Sequence, residues 1–164
     1  MSSWEAPPEV IDKHAALRTS NLLRDFTDVG LRILADKSEQ RRVGRGTYAF
    51  RAGEPSQALA FICRGTLQLL PRDGGTPLGE VTTGDTLGGM ALLLAESEHV
   101  LSALAASDVE LLQLNKAAFD ELKLTHPRTA LKLTLALAED LAERLREAKG
   151  PLREFLVWQV SKRQ

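Results

Sequence analysis

His14, His99, His126, Cys63, Ser97 and Ser102 are the side chains in this sequence best suited by type to hold a metal ion or attack a substrate. Their spacing argues against both. The three histidines are spread along the chain, and none stands from Cys63 or from paired carboxylates at a distance that closes around a metal. No metal and no cofactor is expected. Cys63 ends the apolar run Phe61-Ile62-Cys63, the setting of a small buried hydrophobe rather than of a reactive thiolate. Ser97 and Ser102 lack an acid and a histidine at triad-like spacing, so no activated nucleophile is expected. These residues point to binding rather than catalysis.

The elements that must position any binding site belong to one compact domain. The chain has 164 residues and a mass of 18.0 kDa, with 43% apolar and 26% charged residues. A globule of this length removes roughly two thirds of its unfolded surface from water and needs no disulfide or structural metal to fold. One thiol and an acidic, Pro-rich start (Met1-Ser2-Ser3-Trp4-Glu5-Ala6-Pro7-Pro8) in place of a secretory leader suggest a reducing, cytoplasmic setting. Formal charge is −1, from 21 Lys plus Arg against 22 Asp plus Glu, so the overall balance does not advertise nucleic acid. The most apolar stretch, Leu131 to Leu145, carries Lys132, Glu139, Asp140, Glu143 and Arg144, too many charges for a bilayer span. No membrane association is expected.

Ten of the twelve glycines fall between Gly44 and Gly89, and the chain changes character there. Short apolar runs alternate with turn residues in that part: Thr47 to Phe50, Leu59 to Cys63 and Thr66 to Leu70, with Asp73-Gly74 as a hairpin signal. A short helix over Met90 to Leu94 and strands over Val100 to Ala105 and Val109 to Leu114 follow. Asn115 is placed to cap a helix to Leu124, and Pro127 opens a long helix that Gly150 and Pro151 end. Earlier, Ser20 and Thr27 are candidate caps, the second for a helix over Asp28 to Asp36. The expected division is a weakly patterned segment 1–19, a domain over 20–149 that includes the long helix, and an amphipathic tail 150–164 whose Phe155 and Trp158 close the fold or dock a partner.

The order of these pieces resembles the cyclic-nucleotide-binding domain, the sensory module of bacterial catabolite-activator regulators, of kinase regulatory subunits and of some channels. The matching residues are Gly53-Glu54 after the second strand, the strand Phe61 to Gly65, the Asp73-Gly74 hairpin, and Gly84-Asp85-Thr86-Leu87-Gly88-Gly89-Met90-Ala91-Leu92-Leu93. Downstream, Asp108 to Leu114 with Phe119, Leu122 and Pro127 continues the likeness. It spans about residues 20 to 148. The fold it implies is mainly β with helices (α+β), an eight-stranded jelly-roll-like β-roll with flanking helices and one long carboxy-terminal helix. A roll of this outline can also house cupin enzymes, but the expected strands carry no cluster of His and Glu.

The resemblance also implies a ligand cradle at Leu87, Gly88, Gly89, Met90 and Ala91, with Glu98 and His99 opposite. In the family a glutamate holds the ribose 2′-hydroxyl and an arginine neutralises the cyclic phosphate. Here Gly89 stands in the glutamate's place, and Glu98 or His99 in the arginine's. No Lys or Arg occurs from Asp73 to Asn115, so the lining is expected to be acidic and without a guanidinium. A cyclic nucleotide is not expected to bind. The alternative is a sensor that keeps a pocket for cyclic AMP, cyclic GMP or another small effector, through backbone donors and a protonated His99.

Only 14 residues follow Gly150, too few for the winged helix-turn-helix that family transcription factors carry, so DNA binding is not expected. A partner surface is. On the long helix Leu131, Leu135, Ala138, Ala142 and Leu145 recur at alternating spacings of four and three, while Leu133, Leu137 and Leu141 form a second stripe. One stripe suffices to cover the body, so the first is assigned to a homodimer. The sequence reading is therefore a non-catalytic regulatory or scaffolding domain with a degenerate pocket, acting through protein contacts with an unidentified partner.

Overall fold

The computed structural model describes residues 10–148 and Gly150. Helix α1 (Lys13–Arg18), a single 3-10 turn (Asn21–Leu23) and α2 (Asp28–Lys37) precede eight strands, β1 (Glu39–Val43), β2 (Tyr48–Phe50), β3 (Ala58–Arg64), β4 (Thr66–Leu70), β5 (Gly79–Thr82), β6 (Thr86–Leu87), β7 (Ser102–Ala105) and β8 (Val109–Asn115). Helix α3 (Met90–Leu93) lies between β6 and β7, and α4 (Lys116–Thr125) and α5 (Pro127–Glu147) follow β8. The strands form two four-stranded antiparallel sheets, ordered β1-β8-β3-β6 and β2-β7-β4-β5. This is the expected α+β roll with a long final helix, but it is mixed rather than mainly β, because the helices take up more of the described residues than the strands do.

Two apolar layers hold it together. Between the sheets lie Ile62, Leu67, Val81, Val109 and Leu111, and the outer face of the first sheet packs Leu59, Phe61, Leu112 and Leu114 against Leu17, Leu34, Leu122 and Leu133 of the helices. Side chains alternate across a strand, so β8 serves both layers: Val109 and Leu111 face inward, Leu112 and Leu114 face the helices. A strand buried on both faces reads as a continuous apolar run, which is why Val109 to Leu114 is so legible.

Caps hold the helix starts where they were expected. Thr27 Oγ1 accepts from the Gly30 N–H at 3.2 Å and Asn115 Oδ1 from the Ala118 N–H at 2.7 Å. Pro127 occupies the first turn of α5. The Asp73-Gly74 turn links the paired strands β4 and β5, with Gly74 at φ 81°. Ser20 differs: it precedes the 3-10 turn but makes no capping bond, and its Oγ is buried without a partner.

Four elements were not apparent from the pattern. Helix α1, capped by Asp12, lies within the weakly patterned 1–19 and sends Leu17 into the core. Strand β1 is Glu-Gln-Arg-Arg-Val, with no apolar alternation; it forms because β8 presents an unpaired edge, and Arg42 stands opposite Glu110 and donates to its Oε1 from Nε at 3.1 Å and Nη2 at 2.9 Å. Charges on an edge strand also discourage further pairing. The third and fourth are β5 and β6, two short strands on either side of Gly84 that join different sheets. Conversely, the strand expected from Val100 starts at Ser102, because Val100 stands 79% exposed. The Ser107-Asp108 turn joins strands of different sheets rather than forming a hairpin.

Cys63 is half-buried, and burial pushes its thiol up to about 11, so it remains protonated at neutral pH as a packing residue would. Among the described residues no group of three or more His, Cys, Asp or Glu could hold a metal, and no helix is long and apolar enough to cross a membrane. Phe155, Trp158 and Lys149 lie outside the described residues.

Candidate functional site

A cavity of about 340 Å³ opens between β2 and β7, the turn from β6 into α3, the segment 97–101 and one face of α5. Its floor is set by Gly88. The backbone there has φ 78°, and a Cβ would lie 2.5 Å from the Ala58 carbonyl oxygen, so only glycine lets the chain turn this close to β3. Gly89 is different. It lies in the right-handed helical region, where any residue is allowed, but a Cβ would meet Leu137 Cδ2 at 2.8 Å. A side chain at the position where the resemblance implies a glutamate would thus have to displace the end of Leu137 on the long helix.

Helix α3 is a single turn, and it has spent part of its donor set. The Ala91 N–H donates to the Gly88 carbonyl at 3.0 Å and the Leu92 N–H to that of Gly89 at 3.2 Å. Of the seven expected pocket residues, Leu87, Gly88, Gly89, Met90, Glu98 and His99 line the cavity. Ala91 does not: it is buried and lines a separate depression with Pro55 and Gln57.

The opposite wall is zipped to the loop after β2. The Gly53 N–H donates to the His99 carbonyl at 2.8 Å, the His99 N–H to that of Glu54 at 2.9 Å, and the Ser56 N–H to that of Ser97 at 2.8 Å. These bonds set the His99 ring against Phe50, stacked with centroids 4.5 Å apart. Behind Phe50 the Arg41 guanidinium sits 5.2 Å from the ring centroid and donates through Nη2 to the Ala49 carbonyl at 2.8 Å.

Burial lowers the His99 pKa below the usual 6.5, the Arg41 charge lowers it further, and Glu54 opposes them. The imidazole of the unliganded domain is therefore mostly neutral at pH 7. The folded pKa is depressed, so the native state binds fewer protons than the unfolded chain. The stability this group contributes is present above pH 6.5 and is lost as pH falls through the lowered folded value. An NMR titration is expected to place the His99 midpoint below 6.5, and His99→Gln to weaken the acid dependence of stability. A midpoint above 6.5 would show an anionic partner at the ring instead.

The expectation of a lining without a guanidinium also requires correction. Arg144, on α5, lines the cavity, but its Nε donates to Asp140 Oδ2 at 2.9 Å, and Asp140 lines the cavity as well. Two carboxylates, Asp140 and the exposed Glu98, thus line the cavity with one guanidinium, whose Nε is bonded to Asp140. Sequence reasoning missed Leu137, Asp140, Leu141 and Arg144 as pocket residues, although the Leu133, Leu137, Leu141 stripe already signalled a face of α5 turned to the body. Leu133 and Leu137 are buried. The other stripe is open: Leu131 is 60% and Leu135 54% exposed, Ala138 and Ala142 are exposed, and Leu145 is half-buried.

Comparison with known proteins adds lineage to this geometry. A family model described as the cyclic nucleotide-binding domain matches residues 40–126. Glutaminase 2 of Bradyrhizobium diazoefficiens is 30% identical over 124 residues, 76% of this chain and 19% of that protein. The chain spans less than a fifth of the length of the curated relatives it matches. Among solved structures, Thermus thermophilus catabolite activator protein superposes with a TM-score of 0.70 at 28% identity, over 87% of this chain and 63% of that one. The N-terminal domain of a transcriptional regulator from Streptomyces coelicolor gives 0.70 at 22% identity, over 82% and 98%, a likeness of fold.

Proposed function

Because the chain belongs to the cyclic nucleotide-binding domain family, and shares its fold with the N-terminal domain of a transcriptional regulator, we propose that it is a non-catalytic regulatory domain whose cavity does not retain a cyclic nucleotide and whose output is a protein contact along α5. The observation that carries this reading is the pairing of Arg144 with Asp140 beside Glu98. A cyclic phosphate is held best by a cation free of carboxylates; here the lining guanidinium shares its Nε with Asp140, and Asp140 and Glu98 outnumber it. A charge-assisted hydrogen bond contributes about 1.5–3 kcal/mol, and about 1.4 kcal/mol is a decade of affinity. Loss of the arginine contact, repulsion from Glu98 and the absence of a ribose partner at Gly89 together weaken cyclic-nucleotide binding by several decades.

The second half of the reading rests on the open stripe. Leu131, Leu135, Ala138 and Ala142 are not used by the body of the domain, and their alternating spacing suits a second copy of α5 packed in a left-handed pair. Calorimetric titration with cyclic AMP and cyclic GMP is expected to remain silent to millimolar ligand. Saturable heat at micromolar ligand would overturn the assignment in favour of a nucleotide sensor.

A further inference from the structure

Ser56 is only 6% exposed, and its Oγ is buried with no hydrogen-bond partner. It lies on the cavity wall, near Gly88: a Cβ on Gly88 would be 3.4 Å from that oxygen. Buried hydroxyls are ordinarily satisfied, because leaving one unpaired forfeits its hydration without return. Ser56 lines this cavity and the neighbouring depression alike, and turned into the cavity its hydroxyl is a handle for a guest.

The rest of the wall states what kind of guest. Phe50, Leu69, Leu101 and Ala103 form the inner surface, and Val100 and Leu141 stand partly or largely exposed at the mouth. The polar groups offered inside are neutral ones, the hydroxyls of Ser56 and Thr86 and the uncharged His99 ring, whereas the charges on the lining are Glu98 and the Asp140–Arg144 pair. An apolar wall with a few fixed neutral polar groups is the usual make-up of a small-molecule site. An engineered apolar cavity of about 150 Å³ takes up benzene, and this cavity is larger at about 340 Å³.

We infer that the cavity binds an uncharged, largely apolar small molecule of two or three rings, anchored by one hydrogen bond to Ser56 and excluded when it carries a negative charge. The inference rests on the reading that cyclic nucleotides are not retained. Since Leu137, Asp140, Leu141 and Arg144 all come from α5, such a guest touches the same helix whose outer stripe meets the partner.

N-phenyl-1-naphthylamine and its sulfonated counterpart 1-anilinonaphthalene-8-sulfonate share a skeleton and differ by one negative charge. Titrated into the full chain, the neutral probe is expected to give a saturable rise in fluorescence, and the sulfonate to bind at least about tenfold more weakly. Leu141→Trp, which adds a ring at the mouth, is expected to weaken the neutral probe about tenfold or more. Ser56→Ala is expected to weaken it about three- to tenfold, the worth of one hydrogen bond, with the melting temperature unchanged or raised. No saturable response, equal binding of both probes, or a response lost in Leu135→Glu but kept in Leu141→Trp would overturn the inference; the last places the probe on the outer stripe. Displacement of the neutral probe by micromolar cyclic AMP would instead overturn the nucleotide-free reading beneath it.

Discussion

Leu133→Ala is expected to destabilise the domain by about 2–5 kcal/mol, whereas Leu135→Glu, two residues along the same helix, is expected to leave the fold intact within about 0.5 kcal/mol and to abolish self-association. The difference is which way each side chain points. Leu133 is fully buried between α5 and the outer face of the first sheet, so truncation leaves a cavity that the neighbouring Leu122 and Phe119 cannot close. Leu135 stands 54% exposed on the opposite side. In a single copy a glutamate there meets water; in a paired helix it would be buried without a counter-charge, which association cannot repay. Sedimentation equilibrium and thermal melts of the two variants read both effects. Unfolding of Leu135→Glu would assign the outer stripe to the core. A mass near 18 kDa for the unsubstituted chain at tens of micromolar would remove the dimer altogether.

Gly88→Ala is expected to cost about 2–4 kcal/mol and to lower the melting temperature by roughly 5–15 °C. Two penalties coincide there. The backbone at φ 78° lies in the region an L side chain avoids, and the new methyl would sit 2.5 Å from the Ala58 carbonyl oxygen, part of a strand backbone that cannot step aside. Gly89→Ala provides the contrast one residue on. Its backbone is helical, and the obstructing atom is the far end of the Leu137 side chain, so the expected change is within about 1 kcal/mol. Gly89→Glu, which installs the side chain that the resemblance implies, must evict Leu137 and is expected to cost about 1–3 kcal/mol. Chemical denaturation of the three variants orders them, and a Gly88→Ala protein as stable as the parent would show that the turn from β6 into α3 is not held as described.

On the proposed reading, restoring a ribose and a phosphate contact takes more than one substitution. A side chain at Gly89 has to displace the end of Leu137, and the Nε of Arg144 is bonded to Asp140. Pocket and helix are one packing unit, which is why the same face of α5 appears in the core, in the cavity and beside the proposed interface.

Much of this architecture was readable one segment at a time. Thr27, Asn115 and Pro127 open helices because the first-turn N–H groups need an acceptor or a residue without one, and these demands are met within three residues. The two stripes on α5 follow from helical periodicity alone, and the glycine-rich segment announced its turns through conformations that other residues resist. The likeness of Gly84 to Leu93 to a ligand cradle is likewise local. What the tertiary structure alone decided is everything that depends on a neighbour distant in sequence. Glu39–Val43 is a strand because β8 offers it an edge, not because its residues prefer one. His99 is neutral because Phe50 and the surrounding wall take water from it. Arg144 reaches the cavity because α5 folds back across Gly89, and its Nε is bonded there to Asp140, one turn before it. Backbone preference acts over a few residues, while burial and charge are set by whatever the completed fold brings alongside.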